Sequence, residues 1–125
     1  DTITITYDEN RKLGRSVRSG FISGEPYRES AYKTIEVLKR FELSGFLSDT
    51  RHMKAIRQQD QQWTVEEFTP QLLKTPVRRI ANLVSEDIFN KMAVSQIIQR
   101  LSPLPELEIK QFQDEAEALA WLEEV

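Results

Sequence analysis

A chain of 125 residues, 39% hydrophobic and 30% charged, is one domain's worth of sequence, able to bury roughly 65% of the surface its unfolded form exposes. Without cysteine, disulfides, thiolate nucleophiles and cysteine-based metal sites are excluded. A formal charge of −3 and a pI near 5.3 argue against a phosphate-tracking nucleic-acid binder, and no apolar run approaches the length of a bilayer span.

Thr2 to Tyr7 alternates β-branched and polar residues with period two and stops at Asp8-Glu9-Asn10, which predicts a strand and a turn. Lys12 to Ser19 has only Leu13 and Val17 as strong apolar members, and reads as an exposed or edge strand returning antiparallel to the first. Ser23-Gly24-Glu25-Pro26 suits a helix start, after which Tyr27, Ala31, Ile35, Leu38 and Phe41 make one apolar stripe over about four turns.

Gly45 to Asp49 predicts a central strand, whose apolar Phe46-Leu47 gives way to Ser48-Asp49-Thr50-Arg51. A second helix carries Trp63, Phe68 and Leu72, begins at either Asp60 or Thr64, and is interrupted or kinked by Pro70. Val77 to Val84 is a buried strand, and Ser85 caps a third helix with Phe89, Ala93, Ile97 and Leu101 on one face. Leu107 to Phe112 is the last strand, and Asp114 opens a closing helix with Leu119, Leu122 and Val125. Strands alternating with helices require right-handed crossovers. The expected fold is therefore α/β: one domain over residues 1–125, a mixed, mostly parallel five-stranded sheet with four helices.

Candidate chemistry gathers where the central strand ends, the edge at which open α/β sheets place ligands. Asp49 and Arg51 form either an anion-reading pair or a local salt bridge, the simpler reading. Arg51, His52, Lys54 and Arg57 make a basic cluster ahead of the second helix, able to hold a phosphate or a partner's acidic groups, although a solvated loop is the commoner meaning of such a cluster. His52, the one histidine, lacks a second metal ligand of its kind and an assembled nucleophile, so an exposed loop histidine outweighs a catalytic base. Ser48 and Asn82, polar inside buried strands, either pair with each other or line a small internal pocket, pairing being preferred. Trp63 and Phe68, with Phe89 and Met92, could wall an apolar cavity, but a packed layer between helices and sheet explains them more simply. Phosphate-loop, dinucleotide, kinase and hydrolase-elbow glycine spacings are absent.

These features, with Ile5-Thr6-Tyr7-Asp8, Ser19-Gly20-Phe21, Ser48-Asp49-Thr50-Arg51, Arg78-Arg79-Ile80-Ala81 and Ala118-Leu119-Ala120-Trp121-Leu122, resemble the small bacterial STAS-like proteins over nearly the whole chain. That group is related in fold to anti-sigma-factor antagonists and more loosely to CRAL-TRIO lipid-exchange domains. The resemblance implies a non-enzymatic module without cofactor or metal that binds a protein partner or a small ligand. Antagonists of this kind carry a phosphorylatable serine at the start of the helix after the central strand. Here Ala55 to Asp60 supplies no hydroxyl at that place. The leading expectation is a cytoplasmic bacterial protein-interaction or regulatory module using Asp49, Arg51, His52, Arg57 and Trp63. The alternative is a carrier or sensor of a small apolar or anionic ligand, with a cavity of several hundred Å3 on the order of ordinary ligand pockets. A homodimer through the second strand or the Trp121 helix is the further expectation.

Overall fold

The structure, a computed structural model, describes residues 2–54, 56–84, 95, 99 and 106–124. Five strands, β1 (Thr2–Asp8), β2 (Leu13–Gly20), β3 (Gly45–Met53), β4 (Arg79–Leu83) and β5 (Glu108–Phe112), lie in the order β1-β2-β3-β4-β5. The β1–β2 pair is antiparallel and every other pair parallel, which is the mixed sheet that strand–helix alternation predicts. Asp8 closes the hairpin: its Oδ1 accepts the amides of Asn10 and Arg11 at 3.0 and 3.1 Å.

Contrary to expectation, β2 is no edge. It is hydrogen-bonded on both sides, and Leu13, Gly14 and Ser16 are buried. Gly14 lets it approach its neighbour, because a Cβ there would lie 2.7 Å from the Phe46 ring. The polar character that made β2 look exposed belongs to Arg15 and Arg18, each of which has an internal environment described below. With both of its edges occupied, β2 offers no pairing surface to a second copy.

Helix α1 (Glu25–Arg40) buries Tyr27, Ala31, Ile35 and Leu38 as the stripe predicts, with Pro26 in its first turn. Phe41 departs from the stripe: it is 39% exposed and stacks on Tyr7 at 4.1 Å. No side chain of its own caps α1. The Asp60 carboxylate, 36 residues on, accepts the Gly24 amide at 3.3 Å instead. Helix α2 (Gln58–Trp63) starts at neither expected cap. Asp60 is turned toward Gly24 and Arg57, and the Thr64 hydroxyl donates to the Asp60 carbonyl at 2.7 Å. Pro70 does not break the chain's course. The turn before it, Thr64–Phe68, widens to a π-turn in which the Thr69 amide donates to the Thr64 carbonyl, and α3 (Thr69–Leu72) follows directly. The extra residue relieves the clash of a proline ring with the preceding turn.

The last helix, α4 (Glu115–Glu123), is capped as predicted, Asp114 Oδ1 accepting the Ala116 amide at 2.9 Å. The expected third helix, with Phe89 and Met92, lies outside the described residues. Helices α1 to α3 cover one face of the sheet, with Leu38, Phe46 and Leu72 at its centre; α4 covers the middle of the other, over Leu47, Ala81 and Leu83. Each fully buried leucine among these contributes about 1.5–3 kcal/mol.

Candidate functional site

The central strand runs four residues past Asp49, to Met53, so the residues expected in a loop at the strand end are strand residues. This is the main correction to the expected site. Asp49 points to the α4 side and is 3% exposed. Arg51 grips it with both guanidinium arms, Nε to Oδ1 at 3.0 Å and Nη2 to Oδ2 at 2.7 Å, and donates its amide to the same carboxylate at 3.1 Å. Arg15 from β2 lies 3.6 Å from Asp49 and 2.6 Å from Glu115, the first residue of α4, and Arg51 reaches Glu115 at 3.5 Å. Two cations and two carboxylates from three elements thus neutralise one another. The local salt bridge, the simpler of the two readings, is what forms, and it holds α4 against the sheet.

Burial alone pushes the Asp49 carboxyl up, but the hydrogen bonds and charge of Arg51, with Arg15 behind it, outweigh this and hold it below the usual carboxylate range. The hydrogen bond from Arg15 holds Glu115 low as well, against a smaller effect of burial. A carboxyl depressed in the folded state contributes stability above its unfolded pKa of about 4, and that contribution is lost as pH falls through the folded value. Stability is therefore expected to stay level from neutral pH to about pH 4.5 and to fall below it. Denaturant midpoints measured from pH 7 to about pH 2.5 check this, and Asp49→Asn is expected to flatten the acid limb.

The other expected site residues are not brought together with this pair. Arg57 is bound to the buried Asp60 at 3.0 Å, beside the start of α1. His52 is exposed as the penultimate residue of β3, opposite Ser19. It points outward because a register shift opposite Arg18 changes the alternation there, which returns Met53 to the core. Trp63 is buried, edge-on to Tyr27 and Tyr32 and stacked near Phe68, so it is a pillar of the core and not an open wall. Trp121 is covered by Arg79, 4.8 Å above its ring, and by Phe112.

The space expected between helices and sheet lies under α1 to α3, on the face opposite Asp49 and Arg51. A partly enclosed cavity of about 110 Å3 sits there, well short of several hundred. Ala31 and Thr34 of α1, Thr64, Phe68 and Leu72 of the next helices, and Phe46, Ile80 and Ile109 of the sheet supply much of its wall. Ser48 and Asn82, in register on adjacent strands, both line it. They do not pair with each other; among the described residues neither side chain has a hydrogen bond. Thr50 lines it too and donates to the Leu83 carbonyl at 2.8 Å.

The residue that sequence reasoning missed is Arg18. It projects from β2 into the wall of this cavity, its Nε fully buried and without a hydrogen-bond partner. Its one bond is from Nη2 to the Ser30 hydroxyl, at 3.3 Å. The signal was present in the alternation of β2, which places Ser16 and Arg18 on one face and Arg15 on the other.

No helix among the described residues is long and apolar enough to cross a membrane. No curated protein matches the chain. A family model described as SpoIIAA-like matches residues 16–123. Among solved structures the chain is similar to an uncharacterised protein of the DUF3478 family with a SpoIIAA-like fold from Shewanella loihica PV-4, at 18% identity and a TM-score of 0.60, covering 97% of this chain and 92% of that one. At that identity the likeness is one of fold. The fold expected from the STAS-like resemblance is thus found, and with the family model spanning the chain from within β2 to the end of α4, this chain belongs to the SpoIIAA-like family.

Proposed function

We propose that this protein is a non-catalytic module that holds a small ligand in the cavity between α1, α2, α3 and the sheet. One observation carries the reading: the cavity's wall combines apolar side chains with convergent polar groups, Arg18, Ser48 and Asn82, none of which has a charged or saturating partner among the described residues. The surface first expected to meet a protein partner supports this less well. Its two arginines, Arg51 and Arg57, are committed to Asp49 and Asp60 within the chain.

The size of the cavity suits a ligand no larger than a single aromatic ring, since engineered cavities of about 150 Å3 take up benzene. Ala31 faces the space from α1, and Ala31→Leu fills part of it. Titration of the wild-type chain with benzyl alcohol, a neutral probe, is expected to give saturable amide shifts centred on Phe68 and Ile80 in NMR spectra. Ala31→Leu is expected to weaken the binding at least tenfold. Failure of the wild-type chain to bind any ring-sized molecule, neutral or anionic, overturns the reading.

A further inference from the structure

Arg18 differs from the arginines that pair with a carboxylate. Arg11, Arg15, Arg51, Arg57 and Arg79 each lie within ion-pairing distance of a carboxylate. Arg18 has none among the described residues, although its Nε is the fully buried one. A guanidinium stays protonated in proteins, so its charge is not removed by losing a proton. Burial does pull its affinity for the proton down, with the nearby Tyr27 opposing.

Tyr27 is not the missing counter-ion. Burial raises its phenol above the ordinary value, which keeps it neutral. Its hydrogen is also committed. The Thr64 hydroxyl gives its own hydrogen to the Asp60 carbonyl, so in the 2.7 Å contact between Tyr27 and Thr64 the phenol is the donor. Ser30 is similarly placed: it donates to the Tyr27 carbonyl at 2.6 Å and accepts from Arg18. Among the described residues, Ser30 and Tyr27 thus act on the cation as neutral hydroxyls and do not balance it. Folded chains rarely keep an unbalanced buried charge beside empty space, because the charge is stabilised only when an anion or water meets it.

We propose that the cavity's ligand is a small organic monoanion, a carboxylate on a ring-sized apolar body, with the carboxylate on Arg18. The inference rests on the cavity reading above and names its ligand class. One cation on the wall matches one negative charge, and a guanidinium whose one bond is the 3.3 Å contact to Ser30 keeps donors for a carboxylate. The remainder of the wall, with Phe46, Phe68, Leu72 and Ile80, takes the apolar body. Inorganic phosphate fits this wall poorly: it presents polar oxygens on every side and carries more charge than a single arginine balances.

Calorimetric titration of the full chain with benzoate, benzyl alcohol and inorganic phosphate tests this, on the wild type and on Arg18→Gln. Benzoate is expected to bind the wild type at least tenfold tighter than benzyl alcohol, and Arg18→Gln to erase that preference, the variant's fold being checked by circular dichroism. Equal binding of the two probes to the wild type overturns the carboxylate assignment and leaves the cavity reading standing; this comparison needs no variant. A preference for benzoate that survives in Arg18→Gln overturns the role of Arg18. Phosphate that competes with benzoate at like concentration overturns the apolar body. Absence of binding by both ring compounds overturns the inference and the reading together.

Discussion

Asp49→Ala is expected to destabilise the protein by roughly 2–4 kcal/mol, among the largest single-site losses anywhere in the chain. The carboxylate is buried and accepts three bonds from Arg51 alone, two from the guanidinium and one from the amide. Its loss leaves Arg15 and Arg51 close together with only Glu115 between them. Both arginines are about one third exposed, so water takes up part of their charge, and this holds the cost toward the lower end of what breaking a fully buried pair entails. Arg51→Ala, which leaves Arg15 in place, is expected to cost about half as much. Denaturant unfolding of the two variants and their double mutant measures the coupling. A loss below about 0.5 kcal/mol for Asp49→Ala contradicts the assignment of this cluster as the clasp between α4 and the sheet.

Arg18→Met is expected to act in the opposite direction, stabilising the ligand-free protein by about 1–2 kcal/mol. Methionine keeps much of the apolar stem, removes a charge with no counter-ion among the described residues, and fills irregular space without strain. One weak bond to Ser30, at 3.3 Å, is lost. A site that favours a bound anion at the expense of the empty fold should show this trade. Equilibrium unfolding without added ligand tests it. A loss of stability of more than about 1 kcal/mol would show that the guanidinium is already balanced in the empty protein.

Much of the architecture was legible because it is periodic. Alternation in Thr2–Tyr7 and the stripe of Tyr27, Ala31, Ile35 and Leu38 report burial directly, and the order of strands and helices then dictates parallel pairing. The end of β3 was not legible. Arg51 looks like a loop residue, but β2 runs on to Gly20 beside it and extends the strand, and its charge is met by Asp49 and by Glu115, which the chain delivers 64 residues later. No local pattern announces so distant a partner. The start of α2 failed for the same reason: Asp60 has the chemistry of a helix cap, but its carboxylate serves Gly24. Ser48 and Asn82 were rightly singled out as polar residues in buried strands, while Arg18 hid in a segment whose polarity suggested solvent. Which polar residue meets water, which meets another charge and which meets a void is decided by tertiary placement.

The Asp60 carboxylate that receives Gly24 also belongs to the first turn of α2, so the two helices flanking the cavity are joined at their amino ends. Any parting of these helices is then the opening of a wedge about a fixed apex, widest at the far tips and slightest close to the hinge. Ala31 and Thr64 stand within two turns of that apex, where such a parting would change the gap least. On the reading proposed above, such a corner would select its guest by thickness more than by length.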